Sequence, residues 1–167
     1  MGAASHRVVE LRLDEVDRVE YLWRQMVAFN RRIAGEEWPV RSEDEAWARR
    51  RLQYARWLAE GSGTLLAAVP EAQPQAPPVG YAALVVRPAG ATWEMGEEVG
   101  ELESLVVAEE ARGRGLGTML IAACRDHLRS RGIGHWGVAV VEANVGAARL
   151  YERAGFRPYY RDFMAEL

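Results

Sequence analysis

The chain of 167 residues contains no lysine; all 21 of its basic residues are arginine. That excludes a lysine Schiff base and a Walker A loop, whose phosphate-binding lysine has no counterpart here. Cysteine is almost as scarce. The single Cys124 has no partner for an internal disulfide, which suits a reducing compartment. No apolar run approaches the ~20 residues of a membrane-spanning helix. Met1 to Arg7 lacks the apolar core of a secretory signal. These absences predict a cytoplasmic protein without a membrane partner. Strong positive charge is missing too. The formal net charge of -3 argues against a general nucleic-acid binder, despite the Arg-Gly-Arg-Gly run at Arg112–Gly115. His6 and His127 have no sequence partner at metal-ligand spacing, so no metal is expected.

What is present is a globular composition, 49% hydrophobic and 27% charged, sized for a single domain over 1–167. Residues 1–7 are expected to form a flexible tail. The segment 71–78, with three prolines, is expected to be a flexible loop. Helical periodicity runs from Asp14, a candidate N-cap, to Gly35 through Val16, Val19, Leu22, Trp23, Met26, Phe29 and Ile33. A second helix starts at a Ser42–Glu45 capping box and stops at Gly61. Strands are predicted at Thr64–Val69, Val79–Arg87 and Val99–Val107. A helix follows over Gly115–Arg131, burying Leu116, Leu120, Cys124 and Leu128. Then come a strand at His135–Val141, a helix at Asn144–Ala154 and a last strand at Phe156–Leu167. This order predicts an α/β or α+β fold, a mixed sheet with a strand–helix–strand crossover.

Two blocks carry chemistry. In the first, an apolar strand ends at Val106 and Val107, and a turn with Gly113, Gly115 and Gly117 opens into a helix. Successive backbone N–H groups at a helix N-terminus hold a phosphate or pyrophosphate. The glycine spacing, G-x-G-x-G, is not the G-x-G-x-x-G of dinucleotide-binding folds. The second block reads Asn144-x-x-Ala147-x-x-x-Tyr151-x-x-x-Gly155-Phe156. Asn144 is placed to cap a helix, and Tyr151 lies about two turns further along it.

Together the two blocks resemble the GNAT (GCN5-related N-acetyltransferase) superfamily, whose Arg-x-x-Gly-x-Gly signature stands here as Arg112, Gly115 and Gly117. The resemblance implies a fold in which acetyl-CoA wedges between two splayed parallel strands, here Val99–Val107 and His135–Val141. Backbone groups at Leu105, Val106 and Val107 would meet the pantetheine arm. The N–H groups of Arg112, Gly113, Arg114, Gly115, Leu116, Gly117 and Thr118 would hold the pyrophosphate. Asn144, Ala147 and Tyr151 would also bind the acetyl-CoA donor. It further implies that Tyr151 protonates the leaving thiolate and that a carboxylate, Glu101 or Glu103, takes the proton of the attacking amine, although many members have no single essential base. The acceptor would be a small-molecule amine or a peptide, and dimerisation, common in the superfamily, makes a homodimer an expected partner. A non-catalytic acyl-CoA sensor is the alternative. Acceptor selection would fall to the region holding Trp23, Met26, Phe29, Trp38, Trp47 and Trp93, with Glu36, Glu37, Glu97 and Glu98.

Overall fold

The computed structural model describes residues 5–35 and 38–166. Five strands lie in chain order in one sheet: β1 (His6–Leu11), β2 (Gly63–Pro70), β3 (Gly80–Pro88), β4 (Glu98–Val107) and β5 (Trp136–Val138). The first four pair antiparallel, and β5 joins β4 in parallel. Helices α1 (Glu20–Ala34) and α2 (Glu43–Glu60) precede β2. Helix α3 (Leu116–Ser130) makes the crossover from β4 to β5, and α4 (Val145–Arg153) follows.

Local chemistry places the helix ends. The Ser42 hydroxyl accepts from the Glu45 N–H at 3.3 Å, and Gly61, in the left-handed region at φ 71°, stops α2. Asn144 Oδ1 accepts from the Ala147 N–H at 3.1 Å and starts α4. β2 and β3 are buried almost continuously because helices pack on both of their faces, with α2 and α3 each touching β2. β4 alternates instead: Leu102, Ser104 and Val106 are buried, while the residues between them are partly open. At Gly100 a Cβ would lie 2.7 Å from the Leu128 side chain, so glycine there lets α3 settle on the sheet where β5 begins to pair.

The structure departs from the sequence reading in several places. The expected tail 1–7 contributes His6 and Arg7 to β1, paired with Pro70 and Val69; residues 1–4 lie outside the described residues. The first helix opens as a 3-10 turn, Leu13–Val19, and its cap is Arg12, whose N–H donates to the Glu15 carboxylate at 3.1 Å. Asp14 therefore lies inside the turn. Segment 71–78 is irregular but tied down. The Arg18 guanidinium donates to the Pro74 and Ala76 carbonyls at 3.0 Å each, and Tyr21 donates to the Pro78 carbonyl. β5 has only three residues. No strand forms between Phe156 and Glu166: Phe156 packs on Trp136, and Tyr159 packs edge-on against Trp93. Among the described residues, no helix is long and apolar enough to cross a membrane.

Candidate active site

The site is organised by the parting of β4 from β5. The two strands pair at Gly100–Trp136, Glu101–Gly137 and Leu102–Val138, and pairing then ceases. β4 runs five residues further, to Val107, so the edge carrying Leu105, Val106 and Val107 has no strand partner on that side among the described residues. Sheet edges left open in this way offer backbone donors and acceptors to an extended ligand. A bulge marks the point of parting. Ala83 pairs with Ser104 while its neighbour Leu84 pairs with Leu102, leaving Glu103 as the extra residue. The bulge turns both Glu103 and Ser104 toward α2. Arg50 lies 2.9 Å from the Glu103 carboxylate, and the Tyr54 hydroxyl, one turn on, donates to Ser104 Oγ at 2.9 Å.

Beyond Val107 the chain makes a short turn, Glu109–Ala111, and enters α3 through Arg112–Gly115. Gly113 and Gly115 sit at φ 74° and 79°, a region that favours glycine, and a Cβ at either would meet nothing within 4 Å. The first intrahelical donor is Met119, to the Gly115 carbonyl at 3.0 Å. The N–H groups of Leu116, Gly117 and Thr118 therefore have no backbone partner among the described residues and lie at the positive end of α3. Gly117 has a second use: a Cβ there would stand 3.1 Å from Leu150 Cδ2, so it admits α4 against α3. The two arginines of the turn brace it. Arg112 Nε donates to the Val107 carbonyl at 3.3 Å with its guanidinium over the Phe29 ring, and Arg114 donates to the Glu110 carbonyl at 3.1 Å.

Tyr151 on α4 is 9% exposed, its ring edge-on to Phe156 at 5.7 Å between centroids. Burial pushes its hydroxyl up to about 12, so the phenol is protonated at neutral pH. On β4, Glu101 and Glu103 share one cation. Arg87 Nε is 2.8 Å from Glu101, and its terminal nitrogen is 3.3 Å from Glu103. Burial raises the Glu101 carboxyl above its ordinary value; the Arg87 charge opposes the rise and the Glu103 charge adds to it. Glu103 is held from its other side by Arg50, whose guanidinium stacks 4.5 Å over the Trp23 ring.

The model of the acetyltransferase (GNAT) family matches residues 23–156. The chain belongs to the GNAT family. A mycothiol acetyltransferase of Thermobispora bispora is 46% identical to this GNAT chain over 66 residues, which is 40% of the chain and 22% of that protein. The GNAT chain spans less than a third of the length of the mycothiol acetyltransferases it matches. Among solved structures, a tetramutant of the Bacillus halodurans protein BH1408 superposes with a TM-score of 0.77 at 18% identity, covering 96% of this chain and 99% of that one. An aminoglycoside N-acetyltransferase solved in complex with CoA superposes with a TM-score of 0.72 at 16% identity, covering 99% and 97%. At these identities the likeness is one of fold.

Within this GNAT domain the sequence-predicted residues divide into groups. Leu105, Val106 and Val107 form the open edge of β4, Arg112 to Gly115 form the turn beyond it, and Leu116 to Thr118 open α3; the Arg112 N–H, expected to face a pyrophosphate, donates instead to the Glu109 carbonyl at 3.4 Å. Glu101 and Glu103 stand together at the bulge. Asn144 and Ala147 are joined to each other by the α4 cap, so the Asn144 side chain is engaged there. Of the aromatic residues, Trp23 and Trp47 are core, Phe29 supports Arg112, and Trp38 and Trp93 are exposed. Glu36 and Glu37 lie outside the described residues. Arg50, Arg87 and Tyr54 escaped sequence reading. Nothing in their spacing marks them, since each meets β4 only through tertiary packing.

Proposed function

We propose that this GNAT domain transfers an acetyl group from acetyl-CoA to a primary amine of a small molecule or peptide. The observation that carries the reading is the parting of β4 from β5 after Leu102, in line with a glycine turn whose following N–H groups have no backbone partner among the described residues. The arrangement fits the donor. The open edge at Leu105–Val107 suits an extended amide-bearing arm, and the N–H groups of Gly113 to Thr118 suit a pyrophosphate. Bound there, the thioester supplies an acyl carbon open to attack by an amine.

The chain's own groups would handle the protons. The ammonium must first give one proton to a base; as the C–N bond then forms and the C–S bond breaks, a second must reach sulfur, and the proton that nitrogen sheds at that stage restores its donor. Glu101 is the better acceptor of the first, because only one arginine holds it and burial makes it more basic, whereas Glu103 is clamped by two arginines. Tyr151 is the donor of the second: its hydroxyl is kept protonated by burial. The name of the mycothiol acetyltransferases, relatives over part of the chain, supports a small acceptor over a large one. No observation favours a purely sensory role.

The test is thiol release from acetyl-CoA with a broad amine panel, alongside direct measurement of CoA binding. Turnover with at least one amine is expected. Tight CoA binding with no thiol released by any amine would remove the enzymatic reading.

A further inference from the structure

We propose that the cleft beside Glu103 selects acceptors that carry a carboxylate as well as the reacting amine. The proposal rests on the acetyltransferase reading above and narrows its substrate class. The cleft measures about 290 Å³, near the lower end of the roughly 300–1,000 Å³ of small-molecule sites. It runs between the second half of α2 and the end of β3. Trp57, Val85 and Val86 give it apolar surface, while Arg56, Arg87, Glu60 and Glu103 bring charge.

The selectivity follows from charge accounting along β4. Glu101, Arg87, Glu103 and Arg50 form a continuous line of ion pairs at 2.8, 3.3 and 2.9 Å, two anions balanced by two cations. An acceptor ammonium arriving at Glu101 competes with Arg87 for that carboxylate. If the acceptor is a simple amine, three cations then face two anions. Once Glu101 has taken the amine proton, Arg50 and Arg87 are left with Glu103 as their one carboxylate. Like charges confined beside low-dielectric walls are costly.

A carboxylate on the acceptor cures both states. Three cations then face three anions on binding, and two face two after the proton has moved. Arg87 exchanges Glu101 for the acceptor carboxylate, so an ion pair is swapped instead of broken. Arg56 lines the same cleft and belongs to no ion pair among the described residues, which gives that carboxylate a second cation, and Glu60 of the same lining offsets the Arg56 charge, so the balance is unchanged. Guanidinium groups are suited to this because their donors match a carboxylate two at a time. The acceptor class is therefore a zwitterion: an amino acid or a short peptide with a free C-terminus.

The experiment compares amino acids and dipeptides with their C-terminal amides as acceptors, by thiol release and, separately, by calorimetric binding in the presence of CoA. The acids are expected to exceed their amides in kcat/KM by about tenfold or more, the loss expected for one charge-assisted hydrogen bond. Arg56→Gln, at an exposed position, should bring that ratio toward one. Amides that turn over as well as acids would overturn the proposal and leave the acetyltransferase reading intact. If no amine releases thiol, the enzymatic reading fails, and the binding arm decides the cleft: acids that bind no better than amides overturn it there too.

Discussion

Arg87 Nε stands 2.8 Å from the Glu101 carboxylate, and the same guanidinium reaches Glu103 at 3.3 Å. One cation thus joins Glu101 to Glu103. Its removal has a definite sign. Arg87 opposes the upward shift that burial and Glu103 impose on Glu101. In Arg87→Gln the Glu101 carboxyl is expected to rise further. A base must be ionised to act, so activity falls as pH drops through its pKa, and the acidic limb of the kcat/KM profile should move to higher pH. Glu101→Gln should abolish that limb and cost about 100-fold or more in kcat. A limb that stays in place in both variants would show that Glu101 is not the base.

Tyr151→Phe separates chemistry from packing. The ring contact with Phe156 is kept, and the hydroxyl leaves no hydrogen-bonded partner behind among the described residues. Stability should change by about 0.5 kcal/mol or less. Turnover should fall by about 100-fold or more, with CoA affinity retained. Steady-state kinetics with a parallel CoA titration reads both. Near-normal turnover would remove the proton-donor role.

Gly115→Val tests the turn. The residue sits at φ 79° immediately before α3, and a β-branched side chain resists that conformation at a cost of about 1–3 kcal/mol. Relief of the strain turns the N–H groups away from a common centre, so CoA affinity should fall at least about tenfold. Calorimetric titration of the folded variant gives the answer. An unchanged affinity would place the pyrophosphate elsewhere.

Tyr54→Phe addresses the bulge. The Tyr54 hydroxyl donates to Ser104 Oγ at 2.9 Å and lies 3.1 Å from the Tyr81 hydroxyl, all within a buried cluster. Its loss strands buried polar groups and should cost about 1–3 kcal/mol in urea unfolding. Because Ser104 adjoins Glu103, kcat should fall as well. A destabilised variant with unaltered kinetics would make the cluster purely structural.

Much of the site was legible because it is local. The caps at Ser42 and Asn144 depend on contacts three residues apart, and the turn from Gly113 into α3 depends on backbone freedom and helix geometry. Such signals survive in a linear reading. Strand ends and pairing did not. The reading places His6 and Arg7, the first two residues of β1, in a tail and Phe156–Leu167 in a strand, because pairing depends on a neighbouring edge that no short window contains.

By itself, then, the sequence determined the order of the central elements, the glycine turn that opens α3 and the membership of the family, each carried by residues close together in the chain. Only the tertiary structure decided how Glu101 and Glu103 are placed and paired. It set the bulge at Glu103, ended the β5 pairing at Val138, and brought Arg50 across 53 positions to Glu103 while Arg87 reached Glu101 from the adjacent strand. Those relations depend on where α2 and β3 pack against β4, and packing is set by the whole core, which no single segment specifies.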